Sequence, residues 1–131
     1  MDVDNNGNVA LATFCYDFSP TADVVNRTGA YNDATFNGSE SEIFIYMFDS
    51  SMVQTWGTYF GGTGYSDPMG LAFDSNNNLF MLSRSDEDAA MPLMNPGGGA
   101  YYDATVQDKE DLGITKFTSA GVLEWSTYLG G

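Results

Sequence analysis

The chain writes one phrase twice, "WGTYFGG" at residues 56–62 and "WSTYLGG" at residues 125–131. The phrase does not recur alone. "VDNNGNVAL" begins at Val3 and "FDSNNNLFM" at Phe73, while "GAYNDAT" begins at Gly29 and "GAYYDAT" at Gly99, both pairs 70 residues apart. Trp56 and Trp125 are 69 apart, which places a one-residue loss between Thr105 and Asp111. Segments that keep one register over a whole chain are two copies of one supersecondary unit, residues 1–70 and 71–131.

Each unit contains four strand-like runs. In the second copy these are "GLAFD" (70–74), "NLFMLSR" (78–84), "DLGITKFT" (111–118) and "VLEWSTYLGG" (122–131). The first copy answers with "MDVD", "NVALATFCY" (8–16), "EIFIYMFD" (42–49) and "VQTWGTYFGG" (53–62). They are rich in β-branched and aromatic residues and bounded by Asn, Asp, Gly and Ser, the grammar of strands and tight hairpins. Between the second and third runs comes a long excursion, residues 17–41 and 85–110, carrying Pro20, Pro92, Pro96 and "GGGAY". Loops of that length are as a rule functional or flexible. No run reads as a helix.

Alternation limits the packing. On the third run Ile43 and Ile45 match Leu112 and Ile114 on one face, with Phe44, Tyr46 and Phe48 against Gly113, Thr115 and Phe117 on the other. Both faces are apolar in the first copy, so the sheet needs cover on both sides. Stacked β-propeller blades supply that cover. The expected fold is all-β, two four-stranded antiparallel β-propeller blades, with the first strand of the first blade clipped.

Taken together, "STYLGG", a Gly-Leu-Ala-Phe-Asp strand, Asn-Leu-Phe, a Pro-containing excursion to "GAY" and Asp-Leu-Gly-Ile-Thr-Lys-Phe resemble the SBBP family of bacterial β-propeller repeats. The resemblance spans both copies. It implies one four-stranded blade per repeat, an exported parent displayed on a bacterial cell surface, and no shared catalytic residues. Two departures stand out: Asn77 replaces the usual Gly of the first hairpin, and Phe44, Tyr46 and Met47 replace small or aliphatic residues of the third strand. Propellers close with about four to eight blades, and Met1 stands where Leu71 stands, leaving no match for Gly70. The expectation is a partial propeller from a longer array, or a subunit that completes a ring by association. Two blades alone leave apolar faces and strand edges in water, and each large apolar side chain left exposed forfeits about 1.5–3 kcal/mol. Neighbouring blades, or self-association through faces and edges, are the expected partners.

Charge and chemistry narrow the function. Acidic residues outnumber basic ones 18 to 4, a formal charge of −14 that repels phosphate backbones and anionic lipid. Nucleic acid and membrane are therefore not expected partners. The chain has no histidine, which removes Ser-His-Asp and Cys-His catalysis and His-ligated zinc. Cys15 is the one cysteine, ruling out an internal disulfide or thiolate cage, and its apolar run reads as buried. The start "MDVDNNGN" has no signal-peptide character, so the export signal expected of the parent lies outside this chain.

Candidate sites follow from the remaining polar groups. Asp2, Asp4 and Asn6, with Gly7 at the turn, begin the ligand order of a calcium loop, but its twelfth position is Thr13 and copy two has Ala72 in place of Asp2. A plain hairpin is favoured, and no cofactor is expected apart from calcium at these three residues. Asp86, Glu87 and Asp88, with Asp108, Glu110 and Asp111, flank the second excursion. Such clusters suit calcium or glycoside chemistry, and more often are solvated charge. Asp111 and Glu42 head the third strand in both copies and are expected to accept backbone N–H bonds. Trp56, Tyr59, Trp125 and Tyr128 read as packing residues. Tyr31, Tyr101 and Tyr102, on the excursions, are the candidates for exposed ligand contacts, together with Asp86 and Asp88. The sequons at Asn26 and Asn37 read as coincidence in a bacterial protein. Three functions compete: a non-catalytic extracellular scaffold, adhesion or binding module, which is favoured; a self-assembling unit forming a ring or filament; and a glycan-acting enzyme using Asp86, Asp88 and Asp108.

Overall fold

Alternating apolar residues between Asx-rich turns fold into eight strands in the computed structural model, which describes residues 1–16, 23–37, 40–86, 90–107 and 109–130. The first sheet is β1 (Asp2–Val3), β2 (Val9–Cys15), β3 (Glu42–Phe48) and β4 (Gln54–Phe60). The second is β5 (Ser66–Phe73), β6 (Leu79–Asp86), β7 (Glu110–Phe117) and β8 (Leu123–Leu129). Each is an antiparallel meander in sequence order. The all-β, two-blade architecture expected from the repeat is thus the one observed.

The turns show why the registers agree. Asp4 Oδ1 accepts the N–H groups of Asn6 and Asn8 at 2.8 Å each, and Asp74 Oδ1 does the same for Asn76 and Asn78 at 2.8 and 2.9 Å. At the β3–β4 and β7–β8 hairpins Asp49 and Thr118 play this part, accepting from Ser51 and Val53 and from Ala120 and Val122. Side-chain acceptors of this kind mimic a backbone turn. Asn77 takes the left-handed φ of 62° that Gly7 takes at 80°, and Asn tolerates that region, which is why the substitution leaves the hairpin intact.

Each sheet has a Trp face, carrying Trp56 or Trp125, and a Phe face, carrying Phe48 or Phe117. The core forms where the Trp face of sheet one meets the Phe face of sheet two: Ile43, Ile45, Trp56 and Phe60 pack with Leu79, Met81 and Phe117. The Phe117 ring sits 5.4 Å from Phe60, 5.5 Å from Trp56 and 6.3 Å from Tyr31, a knob in an aromatic socket. Polar links lace the seam. Asp2 Oδ2 accepts the Phe73 N–H at 2.7 Å, Asn77 Oδ1 the Asn5 N–H at 3.1 Å, and the Gly121 carbonyl the Tyr31 N–H at 2.9 Å. Gly121 has φ +80°, and a Cβ there would lie 3.0 Å from that of Ala30, so glycine suits both the turn and the close seam. A smaller cluster of Cys15, Phe44 and Tyr59 occupies the Phe face of sheet one under Val24, Phe36 and Tyr46.

Strand edges, expected to stand open in water, are closed at β4 and β8 by the chain itself. Val25 and Gly57 exchange both backbone hydrogen bonds, at 3.1 and 2.9 Å, and Met94 and Ser126 do likewise. Pairing an edge with the molecule's own loop removes a template for aggregation.

Candidate functional site

The repeated Trp-Gly/Ser-Thr-Tyr-x-Gly phrase is a clamp for the excursions. Trp56 Nε1 donates to the Tyr31 carbonyl at 2.9 Å. Thr58 Oγ1 accepts the Asp33 N–H at 2.8 Å, and Thr127 Oγ1 accepts that of Asp103 at the same distance. The Asp33 and Asp103 carbonyls in turn accept the N–H groups of Tyr59 and Tyr128, both at 3.1 Å. The last glycines make room for carboxylates. A Cβ on Gly61 would approach Glu42 Cγ to 2.8 Å, and one on Gly130 would run into the Asp111 carboxylate. Those two buried acids accept N–H bonds from the returning limb of each excursion, Glu42 from Asn37 at 2.6 Å and Asp111 from Gln107 at 2.7 Å. A long loop leaves backbone groups that need partners. The phrase supplies them in both sheets.

Between the clamped limbs the two excursions differ. Tyr31, grouped with Tyr101 and Tyr102 as an exposed contact, packs instead into the seam, its ring 5.6 Å from Phe60. Burial, followed by the charges of Asp33 and Glu42, raises its hydroxyl pKa well above the ordinary tyrosine value. Tyr101 is 58% exposed, Tyr102 half-buried. Pro96, Ala100 and Tyr101 join Ile114, Trp125, Thr127 and Leu129 around an open groove of about 340 Å³ on the Trp face of sheet two.

The acidic candidates are dispersed. Asp86 ends β6 opposite Glu110, half-buried, its N–H donating to the Tyr65 carbonyl at 3.1 Å. Asp88, like Glu87 and Asp108, lies outside the described residues. Glu110 and Asp67 flank Arg84, at 3.5 and 3.4 Å, and the guanidinium lies 5.3 Å over the Tyr65 ring. Asp2 turns to the seam, where the Phe73 N–H, then that of Val3, holds its carboxyl below the usual range. Asp4 closes its own hairpin, and Asn6 is exposed at the tip. Among the described residues no group of three His, Cys, Asp or Glu side chains is arranged to hold a metal.

A second concavity escaped the sequence. A cleft of about 300 Å³ opens between the sheets at their hairpin ends, with Trp56 and Phe117 in its floor and Asn8, Arg27, Asn77 and Ser119 on its rim. Arg27 belongs to the first excursion and the others to three different hairpins, so local spacing carries no trace of the grouping. The one available signal was the rarity of cations, since Arg27 is one of only four.

A family model described as a beta-propeller repeat, SBBP, matches residues 55–88. Over those residues the chain is similar to an SBBP-type propeller repeat. No curated protein matches the chain. The SBBP match begins in β4, includes the first clamp phrase, and ends beyond β6. It therefore joins the last strand of one sheet to the first two of the next. The SBBP unit of sequence crosses the seam, so the same stretch that clamps one excursion also carries Phe73, Leu79 and Met81, packed against sheet one.

Proposed function

We propose that this SBBP-type segment is a non-catalytic scaffold and binding module of an exported bacterial surface protein. Its ligand class on this reading is a polar saccharide of a cell surface. The observation that carries the proposal is the clamp, whose Thr, Tyr and carboxylate bonds are built alike in both sheets, and which fixes the two limbs of each excursion and leaves the stretch between them facing solvent or the cleft. Rigid frames that present loops in this way are the usual carriers of binding residues. The cleft suits a saccharide because Arg27, Asn77 and Ser119 on its rim offer donors for hydroxyl or carboxylate oxygens, above a floor closed by the buried rings of Trp56 and Phe117. The non-catalytic part is supported by the repeat match to a structural family and by the use of the buried acids Glu42 and Asp111 as backbone acceptors.

The test is to titrate the chain with a panel of bacterial and host polysaccharides while recording tryptophan emission and release of reducing ends. Saturable emission change without product, weakened by Arg27→Ala, is expected. Steady product formation abolished by Asp86→Asn would replace the scaffold reading with an enzymatic one.

A further inference from the structure

The two-sheet stack has one seam and two outer faces on which, among the described residues, no second sheet lies, and the internal repeat relates them. In the seam, the Trp face of sheet one receives the Phe face of sheet two. The Trp face of sheet two is the repeat equivalent of the first of these, and the Phe face of sheet one is the equivalent of the second. Phe73, Leu79, Met81 and Phe117, which enter the seam, correspond by position to Val3, Val9, Leu11 and Phe48. Val3 is 51% exposed and the other three are half-buried.

The match extends to detail. Phe48 follows a register shift in β3 at the place where Phe117 follows one in β7, and Val9 pairs Phe48 as Leu79 pairs Phe117. Both aromatic knobs are thus presented by the same irregularity. The socket that Phe117 fills is made by Tyr31, Trp56 and Phe60. Its equivalent is Tyr101, Trp125 and Leu129, three walls of the open groove of about 340 Å³. The seam's backbone bond from Tyr31 N–H to the Gly121 carbonyl also has a counterpart pair, Tyr101 N–H and the carbonyl of Met52, which shares the left-handed backbone of Gly121.

We propose that the Trp face of sheet two is a docking surface for a second copy of this chain, which inserts its Phe48 between Tyr101, Trp125 and Leu129. The contact is heterologous, knob of one copy into socket of the next, so it propagates until it closes. Rings of about four to eight blades correspond to two to four chains. Several positions depart from the covered face: Phe80, Leu82 and Leu129 stand where the seam has Ala10, Ala12 and Phe60, and Lys116 stands where it has Met47. Its ammonium is paired with Glu124 at 3.0 Å and lies 5.6 Å from the Phe80 ring centre, so its stem extends the apolar surface while its charge is already partnered. Each chain carries −14, so salt that screens like-charge repulsion strengthens the association.

The inference deepens the scaffold reading by naming what covers its open face. It is tested by sedimentation and light scattering of the whole chain over a wide concentration range, at low and high salt. A discrete species of two to four chains, favoured by salt, is expected. Phe48→Asp and Trp125→Asp each reduce it to single chains, and a one-to-one mixture of the two variants forms a dimer and nothing larger, because one intact knob and one intact socket remain. Circular dichroism and thermal melting establish that each variant is folded. Should a variant not fold, the wild-type mass decides alone: single chains at every concentration overturn the proposal. So does an assembly lost with Trp125→Asp but kept with Phe48→Asp, which would mean socket faces meeting each other. Either result leaves the scaffold reading intact, whereas polysaccharide turnover would remove that reading and leave the docking untouched.

Discussion

Trp56 and Trp125 occupy the same place in β4 and β8, yet Trp56 is wholly buried while Trp125 is half-buried beside an exposed Tyr101. The sequence around them is nearly the same. What differs is the neighbour: sheet two lies on the Trp face of sheet one, whereas among the described residues no second sheet lies on the Trp face of sheet two. The covered face is also the more apolar, with Met47 where the open face has the Lys116–Glu124 pair. The aromatic content of a blade face is therefore a capacity for packing, realised where a second sheet is present. The excursions show the same asymmetry, since Tyr31 turns into the seam where Tyr101 turns out.

The largest effect that can break this comparison is truncation of the two indoles. In dilute urea unfolding, Trp56→Ala is expected to cost about 3–5 kcal/mol, because it opens a cavity among Phe60, Phe117 and Tyr31. Trp125→Ala is expected to cost about 1 kcal/mol or less in the single chain, as a residue still half in water. Equal losses would mean that the two faces are covered alike and would remove the basis for docking.

A smaller effect sharpens the other half of the comparison, in which the sheets agree. Glu42→Ala and Asp111→Ala each deprive a loop amide of its acceptor, at a cost of about 1–3 kcal/mol. Amide hydrogen exchange should accelerate at Asn37 in the first variant and at Gln107 in the second, each excursion loosening by itself. Unchanged exchange at those amides would show that the clamp does not hold the loops.

The smallest effect is acid sensitivity. Asp74 is held below the usual carboxylate range by the Asn78 side chain, then by the backbone of Asn78 and Asn76, and Asp103 by the backbone and hydroxyl of Thr105. Both lie below the unfolded value of 3.8, so the unfolded chain binds protons first and stability falls as pH drops through that value and below. The urea midpoint should be level from about pH 5 upward and decline below about pH 4. Asp74→Asn and Asp103→Asn should make that decline shallower, and an unaltered slope would place the acid sensitivity elsewhere.

Much of the fold was legible because its signals are local. Alternation of apolar residues two apart, Asx at the turns and a phrase repeated at constant offset specify the eight strands and their meander order, since each strand's facing and each hairpin's backbone depend on residues within a few positions. The role expected for Glu42 and Asp111 was legible for the same reason, as both head a strand that the excursion rejoins. The tertiary structure alone decided the rest. Val25 and Met94 hold the same place at an offset of 69 between segments offset by 70, so compensating one-residue changes inside the excursions are visible only against β4 and β8. Closure of those edges, the fit of Gly61 and Gly130 to the acids, and the grouping of Arg27 with three hairpins all join residues brought together by packing. Whether Tyr31 or Tyr101, Trp56 or Trp125, lies inside depends on which sheet lies against which. Composition makes a face apolar, but only the position of a neighbouring sheet removes it from water.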